Sequence, residues 1–125
     1  MSQIRVVLVD DHSRYRQLVR EFLKRDPELE VVAEAENGMA GVQVVEETKP
    51  DVVLMDISMP VMNGIEASRL IVSRFPATKI IFLSMYSYES ITGDPCTDKA
   101  FCHHVSKESS SREIIAAIKD SHQNR

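Results

Sequence analysis

No apolar run in this chain approaches the ~20 residues that a membrane-spanning helix needs. The N-terminus lacks a signal-peptide pattern too, because the apolar stretch at residues 5–9 is short and runs straight into Asp10-Asp11. Cysteine is scarce. Cys96 and Cys102 cannot build a disulfide framework, so reduced thiols and a cytoplasmic location are expected. A basic excess is missing as well: 15 Lys and Arg stand against 19 Asp and Glu, for a net charge of −4. Such a domain is a poor nucleic-acid binder by itself. No glycine-rich loop follows the first apolar run, which excludes a dinucleotide-binding turn. Repeats, linkers and low-complexity segments are also absent. What remains is a 125-residue chain that is 43% apolar, enough for one real core. A single domain over residues 1–125 is expected, with no further output domain and no direct contact with membrane or nucleic acid.

Strand and helix patterns alternate along the chain. Short β-branched and apolar runs stand at Arg5–Val9, Glu30–Ala35, Val52–Met55, Lys79–Leu83 and Cys102–Val105. The continuous apolar character of the first run fits a strand covered on both faces. Helical spacing follows the first, with Tyr15, Leu18, Val19, Phe22 and Leu23 as an apolar stripe that ends at Asp26-Pro27. A second helix is expected from about Met39 to Glu47. A third opens at Asn63-Gly-Ile-Glu66 and a last one at Ser110-x-x-Glu113, both resembling capping boxes. Residues 121–125 are polar and expected to fray. Met39, Met55, Met59, Met62 and Met85 are expected as core fillers. One unit breaks the rhythm. The fourth crossover carries Gly93-Asp94-Pro95 at its centre, so an irregular fourth helix is expected there. Five strand–helix units imply a doubly wound α/β fold, a five-stranded parallel sheet with helices on both faces.

Five residues then carry chemistry. Asp10, Asp11, Asp56, Ser84 and Lys107 all lie at or just past strand C-termini, where open α/β sheets form their ligand crevice. Carboxylates brought together resist joint ionisation unless a cation joins them. Asp56, after the central strand, is the candidate nucleophile for a phosphoryl group. Asp10, Asp11 and Asp56 would hold a hard oxygen-liganded ion, Mg²⁺ rather than zinc, with the Ser58 carbonyl as a further ligand. Lys107 would offer a compact charge to the phosphoryl oxygens and Ser84 a hydroxyl donor. Cys96, Cys102, His103 and His104 match no standard zinc spacing, and neighbouring histidines on a strand point to opposite faces. One is expected against the sheet and one outward.

These residues resemble those of a known family, the receiver domains of two-component response regulators of the CheY type. The resemblance rests on Val-Leu-Val-Asp10-Asp11-His, on Met55-Asp56-Ile-Ser-Met59-Pro60-Val-Met62-Asn63-Gly64, on Leu83-Ser84-Met85 and on Ser106-Lys107-Glu-Ser. It implies the CheY-like (flavodoxin-like) strand order 2-1-3-4-5, Asp56 as phospho-acceptor, Mg²⁺ on Asp10 and Asp11, and a sensor histidine kinase as phosphoryl donor. Ser84 becomes the hydroxyl that moves toward the phosphoryl group. The Asp-His, Met-Pro-x-Met-x-Gly and Lys-Glu-x-Ser segments look like the LuxR/NarL-type subgroup, whose receivers are usually fused to a helix-turn-helix output domain and regulate transcription.

The chain also departs from the family. Where receivers usually carry a small, glycine-containing run into strand five, Ala100-Phe101-Cys102-His103-His104 stands here. His104 takes the position of a Tyr or Phe that changes rotamer on activation, so an atypical readout is expected. A degenerate receiver, acting as a phosphorylation-independent binding or dimerisation module, a homodimer included, is the alternative. A haloacid-dehalogenase-like phosphatase would need a second carboxylate two residues after the nucleophile. Ser58 holds that position, and the chain is not expected to be an enzyme.

Overall fold

The computed structural model describes residues 3–57, 59, 62–84 and 102–123. Five parallel strands, β1 (Ile4–Val9), β2 (Leu29–Ala35), β3 (Val52–Asp56), β4 (Lys79–Ser84) and β5 (Cys102–Ser106), stand in the order β2-β1-β3-β4-β5. Four helices are described: α1 (Ser13–Lys24), α2 (Gly38–Thr48), α3 (Gly64–Arg74) and α4 (Ser111–Gln123). This is the doubly wound sheet expected from the alternating pattern, in the CheY-like order that the resemblance implies. The irregular fourth helix expected between β4 and β5 lies outside the described residues, as do Cys96 and Met85.

Strand alternation splits the core into two layers. Val6, Leu8, Leu54, Ile81 and Leu83 pack with Val19 and Leu23 of α1 and Ile114 and Ile118 of α4. On the opposite face Val7, Val9, Val53, Met55, Ile80 and Phe82 pack with Val42 and Val45 of α2 and Ala67 and Ile71 of α3. β3 is buried along its whole length, which is why its sequence lacks a polar face.

The helix starts follow the side chains at their caps. Asn63 Oδ1 accepts from the Glu66 N–H at 2.9 Å, while Asn63 Nδ2 donates to Glu66 Oε1 at 3.0 Å. At α4 the Glu113 N–H donates to Ser110 Oγ at 3.2 Å and Glu113 Oε1 receives the Ser110 hydroxyl at the same distance. Each side-chain acceptor takes up a backbone donor that the helix itself cannot satisfy. Gly64 has a second task. A Cβ there would collide with the carbonyl of Asp56, so α3 starts directly against the strand end that carries the acid.

Three expectations need correction. Leu18 is 56% exposed. It lies roughly 120° around α1 from the midpoint of Val19 and Leu23, outside the stripe that meets the sheet. Met39 is 58% exposed on the outer side of α2, whereas Met55 is buried and Met59 and Met62 pack against the second layer. The tail does not fray at Ser121. α4 continues to Gln123, and Ser121 is fully buried because it follows Ile114 and Ile118 on the same stripe. Lys119 further pins this end, with Nζ 2.9 Å from Asp26 and 3.1 Å from Glu28.

Lys49 caps α2 in the left-handed conformation, φ 48° and ψ 63°, and its N–H donates to the Val45 carbonyl at 2.8 Å. A side chain there opposes the Cβ sterics that favour glycine. Lys49→Gly is expected to stabilise the fold by about 0.5–1 kcal/mol after the added freedom of the unfolded chain is counted. Urea unfolding would show this as a higher midpoint at unchanged slope.

Candidate functional site

Register explains why the acids meet. Val9 pairs with Met55, so Asp10 and Asp56 end adjacent strands side by side. Asp56 pairs with Leu83, and Leu83 with Val105. Ser84 therefore stands one residue above Asp56 on β4, and Lys107 two residues above the same level on the far side. A turn in which the Ser109 N–H donates to the Ser106 carbonyl at 3.0 Å redirects the chain around Lys107.

The side chains converge accordingly. Asp10, Asp56 and Lys107 are each buried, whereas Asp11 is exposed. Lys107 Nζ lies 2.7 Å from Asp10 Oδ2 and 3.4 Å from Asp56 Oδ2. Its side chain is only 3% exposed, so the ammonium depends on these carboxylates to replace water. Three carboxylates against one ammonium leave two formal negative charges, the charge that one divalent cation balances. Asp10, Asp11, His12 and Asp56 each present one ligand atom, and these atoms all lie within 4.8 Å of one another. The group could hold a metal ion, and its hard oxygen donors suit such a cation.

The main chain and a neighbouring arginine hold the first acid in place. The His12 N–H donates to Asp10 Oδ1 at 2.8 Å, and Arg16 donates to the Asp10 carbonyl at 2.6 Å. Arg16 Nε is in turn 3.0 Å from Glu34 Oε1 near the end of β2, and Arg20 reaches Glu34 Oε2 at 2.7 Å. Glu34 also raises the pKa of Arg20, through that hydrogen bond first.

Of the residues singled out by sequence, Asp10, Asp11, Asp56 and Lys107 form one cluster. Ser84 closes β4 at the expected register, but its side chain and all of Ser58 lie outside the described residues. The side chains of Cys102 and His103 do as well. His104 is half-buried, with its ring 6.3 Å from that of Phe82, and burial lowers its pKa. It belongs to the sheet packing rather than to the acid cluster.

Two members were not anticipated. His12 Nδ1 sits 3.1 Å from Asp11 Oδ1, 3.2 Å from Asp10 Oδ1 and 3.8 Å from Asp56 Oδ2. Its place directly after the acid pair was visible in sequence, but the turn that folds the ring back was not. Tyr15 was read as core. Its ring lies under Lys107 Nζ, 4.8 Å from the centroid, and its hydroxyl donates to the Lys107 carbonyl at 3.4 Å. The cation–π contact adds a weak hold on the ammonium.

Burial first, then the charges of Asp10 and Asp56, push the Tyr15 pKa from 10.0 up to about 12. The folded state therefore keeps this proton more tightly than the unfolded chain. The associated stability is intact below pH 10 and is lost as pH rises toward 12. Phenolate absorbance should show one of the three tyrosines titrating late. Tyr15→Phe should remove that late component and flatten the decline in stability across this window. Gly64→Ala is expected to cost about 1–3 kcal/mol by forcing α3 away from Asp56, seen as a lower urea midpoint.

A family model for the response regulator receiver domain matches residues 6–119. The transcriptional regulatory protein DegU of Brevibacillus brevis is 39% identical over 118 residues, which is 94% of this chain and 50% of DegU. A protein-glutamate methylesterase/protein-glutamine glutaminase of Pyrococcus horikoshii is 37% identical, over 94% of this chain and 34% of that protein. The chain thus spans half or less of the length of these relatives. Among solved structures, the signal receiver domain of the response regulator NarL from Mycobacterium tuberculosis superposes with a TM-score of 0.89 at 28% identity, covering all of both chains. With the matched fold and strand order, these findings make the chain a member of the response regulator receiver domain family, the receiver domain of a two-component response regulator.

Proposed function

We propose that Asp56 accepts a phosphoryl group from a sensor histidine kinase in a Mg²⁺-dependent transfer. The observation that carries this is the meeting of Asp56 with Asp10 and Lys107, an ammonium 3.4 Å from the acceptor carboxylate. An Asp56 oxygen attacks phosphorus as the bond from phosphorus to the kinase imidazole breaks, and the imidazole keeps that electron pair. Little covalent help is required. In-line placement and neutralisation of the equatorial oxygens do the work. Asp10, Asp11, Asp56 and the Ser58 carbonyl would hold Mg²⁺, which when bound screens the phosphoryl oxygens from the acids. Lys107 is positioned to exchange part of its pairing with Asp10 and Asp56 for a phosphoryl oxygen. Ser84 would donate its hydroxyl to another.

The phosphoryl group carries nearly two negative charges in place of the one on the Asp56 carboxylate, a net gain of about one. It biases an equilibrium between two conformations rather than building a new one. Relatives that are transcriptional regulators favour a cytoplasmic output through a DNA-binding domain of a longer protein. A phosphorylation-independent scaffold would need no acid cluster around a buried lysine, and nothing among the described residues favours it.

Incubation with acetyl phosphate and Mg²⁺ should add one phosphoryl mass to the intact protein. Asp56→Asn or chelation of the metal should abolish the gain. Lys107→Ala should slow it by at least about tenfold, equivalent to ~1.4 kcal/mol. A gain that persists in Asp56→Asn, or no gain at all, would overturn the proposal.

A further inference from the structure

His12 is the N-cap of α1, yet its side chain makes no capping bond to the helix. Its backbone N–H turns instead to Asp10 Oδ1, and the ring follows it into the acid cluster. The side chain is 63% exposed, so packing does not force it there. Nδ1 stands 3.1, 3.2 and 3.8 Å from oxygens of Asp11, Asp10 and Asp56. It also lies 3.4 Å from Lys107 Nζ. An imidazole nitrogen carries at most one hydrogen. It cannot bond three carboxylates at once.

A shared centre accounts for the arrangement better. Octahedral ligands at ~2.1 Å from an ion stand ~3.0 Å apart when adjacent and ~4.2 Å apart when opposite. The separations to Asp11 and Asp10 match adjacent positions and that to Asp56 lies between the two values; all four donor atoms lie within 4.8 Å, a little wider than an occupied octahedron. The donor set is then one nitrogen with three carboxylate oxygens. Mg²⁺ gains little from an imidazole. First-row transition ions gain much more, increasingly from Mn²⁺ through Co²⁺.

We infer that His12 is a further protein ligand of this cation site and tunes it toward divalent first-row transition ions. The inference rests on the cation site proposed above. It adds a residue, and a metal preference, that the carboxylates alone would not give. The exposed ring can take either of two positions, on the ion or in solvent. The same chain therefore accepts Mg²⁺ through its oxygens and a softer ion through oxygen and nitrogen together.

Calorimetric titration of the whole chain with Mg²⁺, Mn²⁺ and Co²⁺, repeated on His12→Ala, tests this. Expected is a loss of at least about tenfold in Co²⁺ affinity on removing the ring, against less than about twofold for Mg²⁺. Pulsed electron spin resonance of bound Mn²⁺ on the unaltered chain should show a directly coordinated nitrogen, absent in His12→Ala. The nitrogen signal on the unaltered chain does not depend on how the variant folds. Equal losses for Co²⁺ and Mg²⁺, or no nitrogen coupling, would overturn the role of His12 while leaving Mg²⁺-dependent phosphorylation standing. Failure of the unaltered chain to bind any of the three ions would overturn both.

Discussion

Everything at the open end of this sheet depends on how one buried ammonium is held between two buried carboxylates. Asp10 and Asp56 end neighbouring strands and would repel one another without Lys107. Yet β5, which delivers Lys107, is separated from β3 by β4. That gap is roughly 10 Å at two strand spacings. A long unbranched side chain can reach back over β4, and the turn from Ser106 to Ser109 aims it. A lysine at this position therefore closes the sheet end mechanically as well as electrically. Its carbonyl accepts the Tyr15 hydroxyl, so α1 is joined to the same point.

The compensation is incomplete by design of charge: with Asp11 counted, two negative charges remain formally in excess. The fold limits the resulting strain by bracing the acid loop from behind. Arg16 holds the Asp10 carbonyl and is itself held by Glu34. Partly exposed ion pairs of this kind contribute little stability individually. Their effect here is geometric, because they fix the main chain between β1 and α1 while its carboxylates face inward.

Much of this was legible in sequence for a simple reason. Asp10, Asp56 and Lys107 stand where apolar runs stop, and in a parallel sheet all such stops fall on one edge. The capping boxes at Asn63 and Ser110 could be read from local spacing, whereas the strand order followed from the family resemblance. Other features were hidden because they depend on angles rather than on positions. Leu18 and Tyr15 occupy the same periodic stripe, yet one faces solvent and the other lies beneath Lys107. The stripe predicted by spacing is wider than the face that meets the sheet. His12 was hidden more completely. It follows two acids in a turn, where no periodicity applies. Only the backbone at φ −90° and ψ 99° sends its ring toward them.

That backbone setting connects the brace to the chemistry. The turn from Asp10 to Ser13 begins helix α1, whose positive N-terminal end lies beside the acids. Shifting α1 would move His12, Arg16 and Tyr15 together, and with them the environments of Asp10 and Lys107. A charge change at Asp56 is therefore felt first by Lys107 and then by α1 through the Tyr15 hydroxyl and ring. On the proposed reading, phosphorylation alters the balance between these contacts rather than creating a separate path. Any conformational response must come from contacts that differ between the two states. Lys107 supplies such a difference, because its one charge is shared between Asp10 and Asp56, and added charge on Asp56 would draw it away from Asp10.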